Sequence, residues 1–369
     1  MKFCLSFFNK RLLWSNFCWA LVTATLFLLL YFGVDYEPNE NEEREIEKAL
    51  AIVNHLNPNE HIVNGRFDPA RKYLMVRCDK ESEANADCGG WGDRLTSIFT
   101  GYWLALLTNR TFILKMTRPC DLTNIYEPNE VNWNIDIGGH EANMSKKIVK
   151  RMNTEEYKEQ MRRAKGLDDF VTDEQLIILI TNRNLVETIS DNTNEFFRDQ
   201  FKYLGFKDTS YTRIKLQYSF GVIFRKLFKL RPFMADKLAE FRRRAKPDNR
   251  TRLVCAHVRI GGHMDERNPT KPEDEYFQSP KHIGYFWDFI EQTFLSDNSR
   301  WLDRRTNDYK LFLTTDRDYV HEQALMRFGS ERVVVNKGDF FNIDLIRQQP
   351  NCSSVEKTYL DFHSYQYCD

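Results

Sequence analysis

Leu253-Val-Cys-Ala-His-Val-Arg-Ile-Gly-Gly262 is a short apolar run that delivers one arginine, Arg259, to a pair of glycines. A run of this length, bounded by polar residues, reads as a strand buried on both faces, the kind found in parallel sheets. Arg259 then stands at the carboxyl end of a central strand. Open α/β sheets bind ligands along that edge, and a guanidinium fork held there suits a phosphate or pyrophosphate. The ordinary alternative is an arginine that closes a strand with an ion pair, so the rest of the chain has to decide.

Around this run, strands and helices alternate. Strands are expected at 253–258, 309–315 and 332–335, with helices at 285–295, 319–328 and 355–367. That order implies right-handed crossovers and a parallel sheet. Upstream, 72–78 and 111–116 read as strands. Between them lie Gly89-Gly90-Trp91-Gly92 and a segment with Leu95, Ile98, Phe99, Tyr102 and Leu106 at helical spacing, which makes a βαβ unit with a glycine turn at its helix start. A further apolar strand is expected at 175–181, and helices at 196–204, 220–228 and 233–241. The polar segment 242–252, with Pro247, marks a boundary between an N-terminal domain at 71–245 and a C-terminal domain at 246–369. Its Arg242-Arg243-Arg244 run suits the negative end of a helix and is not read as a nucleic-acid patch.

Acidic and basic residues balance at 53 each and aromatics make up 14%, which argues against disorder and against a nucleic-acid footprint. A chain of 369 residues has room for two ordinary domains. Residues 17–34 carry no charge, and Leu12, Leu13 and Trp14 extend them to a segment, 12–34, long enough to cross a bilayer. Lys2, Lys10 and Arg11 precede it, whereas Asp35, Glu37, Glu40, Glu42 and Glu43 follow. The expectation is a cytoplasmic tail at 1–11, a signal anchor, a stem at 35–70 and a lumenal globular part. A cleaved signal peptide fits less well, because the apolar region is longer than a usual signal core and no small-x-small site follows it closely. Four Asn-x-Ser/Thr sites, at Asn109, Asn143, Asn249 and Asn351, agree with lumenal exposure. Cys78 with Cys88, or Cys352 with Cys368, would close short disulfide loops, although spacing alone does not fix pairing. Cys255, inside the apolar run, reads equally as a small buried residue.

Gly89-Gly90-Trp91-Gly92-Asp93-Arg94 places glycines where a helix begins, so free amides and the positive dipole end can face an anion. Asp93 fits a helix cap as well as a catalytic base, and the loop lacks the Gly-Lys-Ser/Thr ending of a Walker motif. Thr314-Thr315-Asp316 ends a strand at the same kind of edge. Asp316-Arg317-Asp318 has the Asp-x-Asp form that can hold a metal and a nucleotide diphosphate, but helix capping is the commoner use of such carboxylates. The histidines show no zinc spacing with cysteine, so no structural metal is expected.

Two blocks together resemble the superfamily of inverting fucosyltransferases that includes the α1,2-, α1,6- and protein O-fucosyltransferases. Gly89 to Leu95, with the following Ala105 to Thr111, is similar to the family's Gly-Gly-x-Gly-Asp/Asn loop and helix, and His257-Val258-Arg259-Ile260-Gly261 is similar to its His-x-Arg motif. The resemblance spans roughly 72–369 and implies a GT-B-like α/β fold of two facing Rossmann-like domains. It also implies a GDP-fucose donor, a glycan or glycoprotein acceptor and no metal. Carried over, Arg259 would be catalytic as the contact to the β-phosphate, and His257 and Gly261 would shape its loop. Gly90, Gly92 and Asp93 would reach toward the diphosphate and fucose, Asp316 would lie near the nucleotide, and Asp93 would be the candidate base. Ile260 and Gly262 depart from the His-x-Arg-Arg-x-Asp form of many α1,2 and α1,6 enzymes. The family continues into a strand and serine loop after its last helix, whereas this sequence stops at Asp369. Two alternatives follow: an inactive, membrane-anchored glycan-binding protein, or a metal-dependent transferase using Asp316 and Asp318.

Overall fold

Every residue of Tyr73–Cys78 (β1) and of Leu176–Thr181 (β5) is buried, as apolar runs require at the centre of a sheet covered on both faces. The computed structural model describes residues 40–60, 66–79, 88–151, 168–182, 185, 195–206, 213–259, 280–295, 309–338 and 352–369. Residues Glu45–Asp369 form one compact unit. Its first sheet adds β2 (Thr111–Met116) and β4 (Lys146–Arg151) to give the order β2-β1-β5-β4, all parallel. Helix α2 (Trp91–Leu107) makes the crossover from β1 to β2 and is buried along most of its length, with Gly101 letting Val76 and Phe112 approach its backbone. Strand β4 was not expected from the sequence. It reads Lys-Lys-Ile-Val-Lys-Arg, and only one side of this edge strand meets the core: Val149 is 3% exposed and Ile148 53%.

Three more helices follow, α3 (Glu195–Tyr203), α4 (Arg213–Leu227) and α5 (Pro232–Ala245). The helix expected at 220–228 ends at Leu227, and Phe228–Leu230 (β6) pairs back antiparallel against Tyr126–Pro128 (β3). The second sheet, β7 (Arg252–Val258), β8 (Tyr309–Thr315) and β9 (Val333–Val334), is parallel in that order. Its faces alternate with the pleat. Val254, Ala256, Val258, Leu311 and Leu313 pack under α6 (Pro280–Ile290) and α7 (Asp318–Phe328), which add Ile283, Trp287, Val320 and Ala324. Leu253 and Phe312 instead meet Phe241 of α5.

The last helix, α8 (Cys352–Ser364), packs against α5 and continues into the turn Tyr365–Tyr367. Its Val355, Tyr359 and Leu360 are buried in the core of the first sheet, while Tyr365 and Tyr367 pack with Phe312 and Phe241 on the second. Across the expected boundary at 245/246, α5 buries side chains in both cores, and α8 with its following turn packs against both. The segment expected to be a stem is also partly core. In α1 (Glu40–His55), Ala49 and Val53 are buried, and Asn59 donates to the carbonyls of Phe112 and Asn132 at 2.8 and 2.7 Å. The expected membrane segment 12–34 lies outside the described residues, among which no helix is long and apolar enough to cross a membrane.

Three disulfides join described cysteines. Cys78–Cys88 matches one expected short loop. Cys352 pairs with Cys120, 232 residues away, and Cys368 pairs with Cys255 rather than with Cys352. Helix α8 separates Cys352 from Cys368 and carries its two ends to different sheets, so the short loop cannot form. At the start of β7, the Asp369 carboxylate accepts from the Leu253 amide at 2.7 Å and from Lys246 at 2.8 and 2.9 Å.

Within the first core, the Tyr126 hydroxyl and His363 Nε2 are hydrogen-bonded at 2.8 Å, and burial pushes the His363 pKa down to about 4. The unfolded chain would take up that proton near pH 6.5, so this group's contribution to stability is complete above that pH and is lost as pH falls toward 4. Burial depresses His257 and His321 in the same direction. Denaturant unfolding between pH 7 and 4 should thus show stability falling, by up to about 1.4 kcal/mol per pH unit from His363. His363→Gln should flatten part of that slope, and an unaltered slope would contradict the assignment.

Candidate functional site

The carboxyl ends of β7 and β8 lie side by side, with His257 opposite Thr314 and Val258 opposite Thr315. Arg259 follows directly and is exposed, and Asp316 follows on the neighbouring strand. His257 Nδ1 and the Thr314 hydroxyl are hydrogen-bonded at 2.8 Å. His257 keeps an accessible edge, yet protein crowds its ring, and that desolvation lowers its pKa. The Arg259 and Lys357 charges act in the same direction and Asp316 opposes them. The structure thus groups three expected site residues, His257, Arg259 and Asp316, at one sheet edge. Gly261 lies outside the described residues.

A second group at this edge comes from α8 and was not legible in the sequence. Lys357 is buried and donates to Asp361 at 2.5 Å. Asn336, just past β9, donates to Asp361 at 2.9 Å and to the Ser364 hydroxyl at 3.0 Å. Burial raises the Asp361 pKa, and Lys357 with the hydrogen bonds counteracts it. Gly338 adopts φ 128°, and a Cβ there would sit 3.0 Å from the Lys357 Cβ. The only signal for this pair was its helical i, i+4 spacing.

The glycine block takes the expected place at the start of α2. Gly89 adopts φ 72°, and a Cβ there would sit 2.5 Å from Asp93 Oδ2. That oxygen accepts from the Gly90 amide at 3.1 Å, so the Asp93 carboxylate caps its own helix. Arg94 is buried and donates to the Gly89 carbonyl at 2.8 Å and to Cys78 Sγ at 3.1 Å, which ties the loop to the Cys78–Cys88 bridge. Trp91 packs edge-on against Tyr359 (4.7 Å) and Phe362 (6.1 Å) of α8. Its buried indole N–H has no hydrogen-bond partner among the described residues. One helix therefore bears on both candidate loops: α8 meets Trp91 through Tyr359 and Phe362, and the charge of its Lys357 acts on His257.

Asp318 begins α7 and is exposed. Among the described residues no cluster of three or more His, Cys, Asp or Glu could hold a metal ion. The sites Asn109, Asn143 and Asn249 are exposed and precede β2, β4 and β7, at the amino edges of their sheets and away from the loops above. Asn351 lies outside the described residues.

Neither family models nor curated protein sequences match this chain. Solved structures do. Arabidopsis thaliana FUT1, as a mutant in complex with GDP, aligns with a TM-score of 0.50 at 10% identity, over 95% of this chain and 73% of that one. The chain has a fucosyltransferase fold. The fucosyltransferase NodZ from Bradyrhizobium aligns at 0.40 with 13% identity, over 80% and 86% of the two chains. NodZ alpha-1,6-fucosyltransferase soaked with GDP-fucose aligns at 0.41 with 12% identity, over 80% and 84%. Within this fucosyltransferase fold, Gly89 is the residue whose conformation the glycine loop depends on. Gly89→Ala should lower the unfolding free energy by about 1–3 kcal/mol, since it adds left-handed strain and displaces the Asp93 cap. Gly139→Ala, where a Cβ meets nothing within 4 Å, is the control. Equal stability of the two variants in denaturant unfolding would contradict this reading.

Proposed function

We propose that this protein is a type II membrane glycosyltransferase that moves fucose from GDP-fucose to a hydroxyl of a glycan or glycoprotein, with inversion. The observation that carries the reading is the delivery of Arg259 and His257 to the carboxyl edge of β7, beside Asp316, in a fold shared with a fucosyltransferase solved with GDP. In the reaction the acceptor oxygen attacks the anomeric carbon as the bond to the β-phosphate oxygen breaks. GDP leaves with the electron pair, and the acceptor proton passes to a base. Arg259 stabilises the charge that develops on the departing diphosphate. The first amides of α2, which have no intrahelical acceptors, add to that stabilisation. Asp93 is the candidate base, and its Oδ2 already accepts from the Gly90 amide.

The remaining parts of the proposal concern location and metal. Residues 12–34 anchor the chain in the endoplasmic reticulum or Golgi membrane with the catalytic part in the lumen. Three disulfides and three exposed glycosylation sites at the amino edges support that compartment. The donor diphosphate is held by side chains and amides, without a metal. The same occupied state of Asp93 favours a second reading, an inactive glycan-binding protein on this fold.

The full chain in detergent decides among these readings. It should bind GDP and GDP-fucose by calorimetry, turn over GDP-fucose in EDTA, and lose about 10²–10³ of its turnover in Arg259→Ala with its melting temperature intact. Donor binding without turnover would favour the inactive reading, and loss of activity in EDTA the Asp316/Asp318 metal reading. Absence of GDP binding would refute the donor site.

A further inference from the structure

The hydrogen bond to His257 is the end of a chain that starts in the C-terminal turn. The face of β7 and β8 that carries Cys255, His257, Phe312 and Thr314 lies against that turn. Cys368 is bonded to Cys255, two residues before His257 on the same strand face. Tyr365 packs at a tilt against Phe312, with ring centroids 5.2 Å apart, and its hydroxyl is hydrogen-bonded to the Thr314 hydroxyl. Thr314 in turn meets His257 Nδ1 at 2.8 Å and the Ala256 carbonyl only at 3.5 Å.

Proton inventory gives this chain a direction. Either hydroxyl can donate in this pair; a phenol is the stronger acid, which favours the direction from Tyr365 to Thr314. Thr314 has one proton left to give, and its nearest acceptor is His257 Nδ1 rather than the carbonyl. The imidazole then carries its own proton on Nε2, which has no hydrogen-bond partner among the described residues. We propose that Tyr365 is a positioning residue: through Thr314 it holds His257 in the Nε2–H tautomer, so that His257 acts as a neutral hydrogen-bond donor to an anionic oxygen of the diphosphate and not as the base of the reaction. The inference rests on the donor-site reading above. It also gives the Cys255–Cys368 bridge a purpose, because that bridge holds the turn bearing Tyr365 on the strand face bearing His257.

The test uses the full chain labelled with 15N-histidine. The His257 signal is assigned by its loss in His257→Asn. In the unliganded wild type, long-range 15N–1H spectra should show a single neutral tautomer protonated on Nε2. Tyr365→Phe and Thr314→Val should each show the Nδ1–H form or a mixture. GDP affinity should fall by about three- to tenfold, the share of one hydrogen bond. A merely structural role would move the melting temperature and leave the tautomer alone. If Tyr365→Phe fails to fold, Thr314→Val carries the test. Variants that keep both the wild-type tautomer and wild-type GDP affinity would overturn the relay, as would a wild type protonated on Nδ1. A wild type that binds no GDP would sink the donor assignment instead, and the tautomer would then decide the relay by itself.

Discussion

The constraint on which the candidate site depends is the double attachment of the C-terminal helical segment. Cys352 fixes its start to Cys120, which follows the first sheet's β2, and Cys368 fixes its end to Cys255 in β7 of the second. Between those anchors, Tyr359 and Phe362 press on Trp91 in the glycine block, while Tyr365 reaches Thr314. A bridge across a separation of 232 residues restricts the unfolded chain strongly, and one disulfide typically contributes about 2–4 kcal/mol of stability. Its geometric effect matters more for function, since one rigid helix sets where both loops stand.

The buried polar groups along this helix fit that role. Lys357, Asp361, Asn336 and Ser364 satisfy one another in a place where unpaired charge would be costly. An apolar set of the same volume would pack as well, but would leave the edge near His257 and His321 without the Lys357 charge that acts on both rings. Electrostatics at the β7 edge is thus shaped by a residue roughly a hundred positions further along the chain.

The strands of both sheets were legible because their centres are nearly continuous apolar runs: Leu-Ile-Ile-Leu-Ile-Thr for β5 and Leu-Val-Cys-Ala-His-Val within β7. The edge strand β4 was not, since its lysines and arginine hide a single inward valine from any periodicity argument. Among the candidate site residues, His257, Arg259, Asp316 and the glycine block are suggested by strand ends and glycine turns, which are local signals. Lys357, Tyr365 and the two long-range cysteine pairs were missed because their meaning depends on where α8 docks, and that is a property of packing between distant segments. Asp93 shows the opposite failure. A carboxylate at a helix start reads equally as cap and base, and only the Gly90 amide at 3.1 Å shows which use the resting structure makes of it.

Hydrogen exchange on the full chain, with and without GDP-fucose, tests the central claim most directly. Amides at the end of β7 and in the C-terminal segment belong to one site in this account. Protection on adding the nucleotide sugar should therefore appear together in peptides covering Leu253 to Arg259 and Cys352 to Cys368. Protection confined to one of them, or found only elsewhere in the chain, would contradict it.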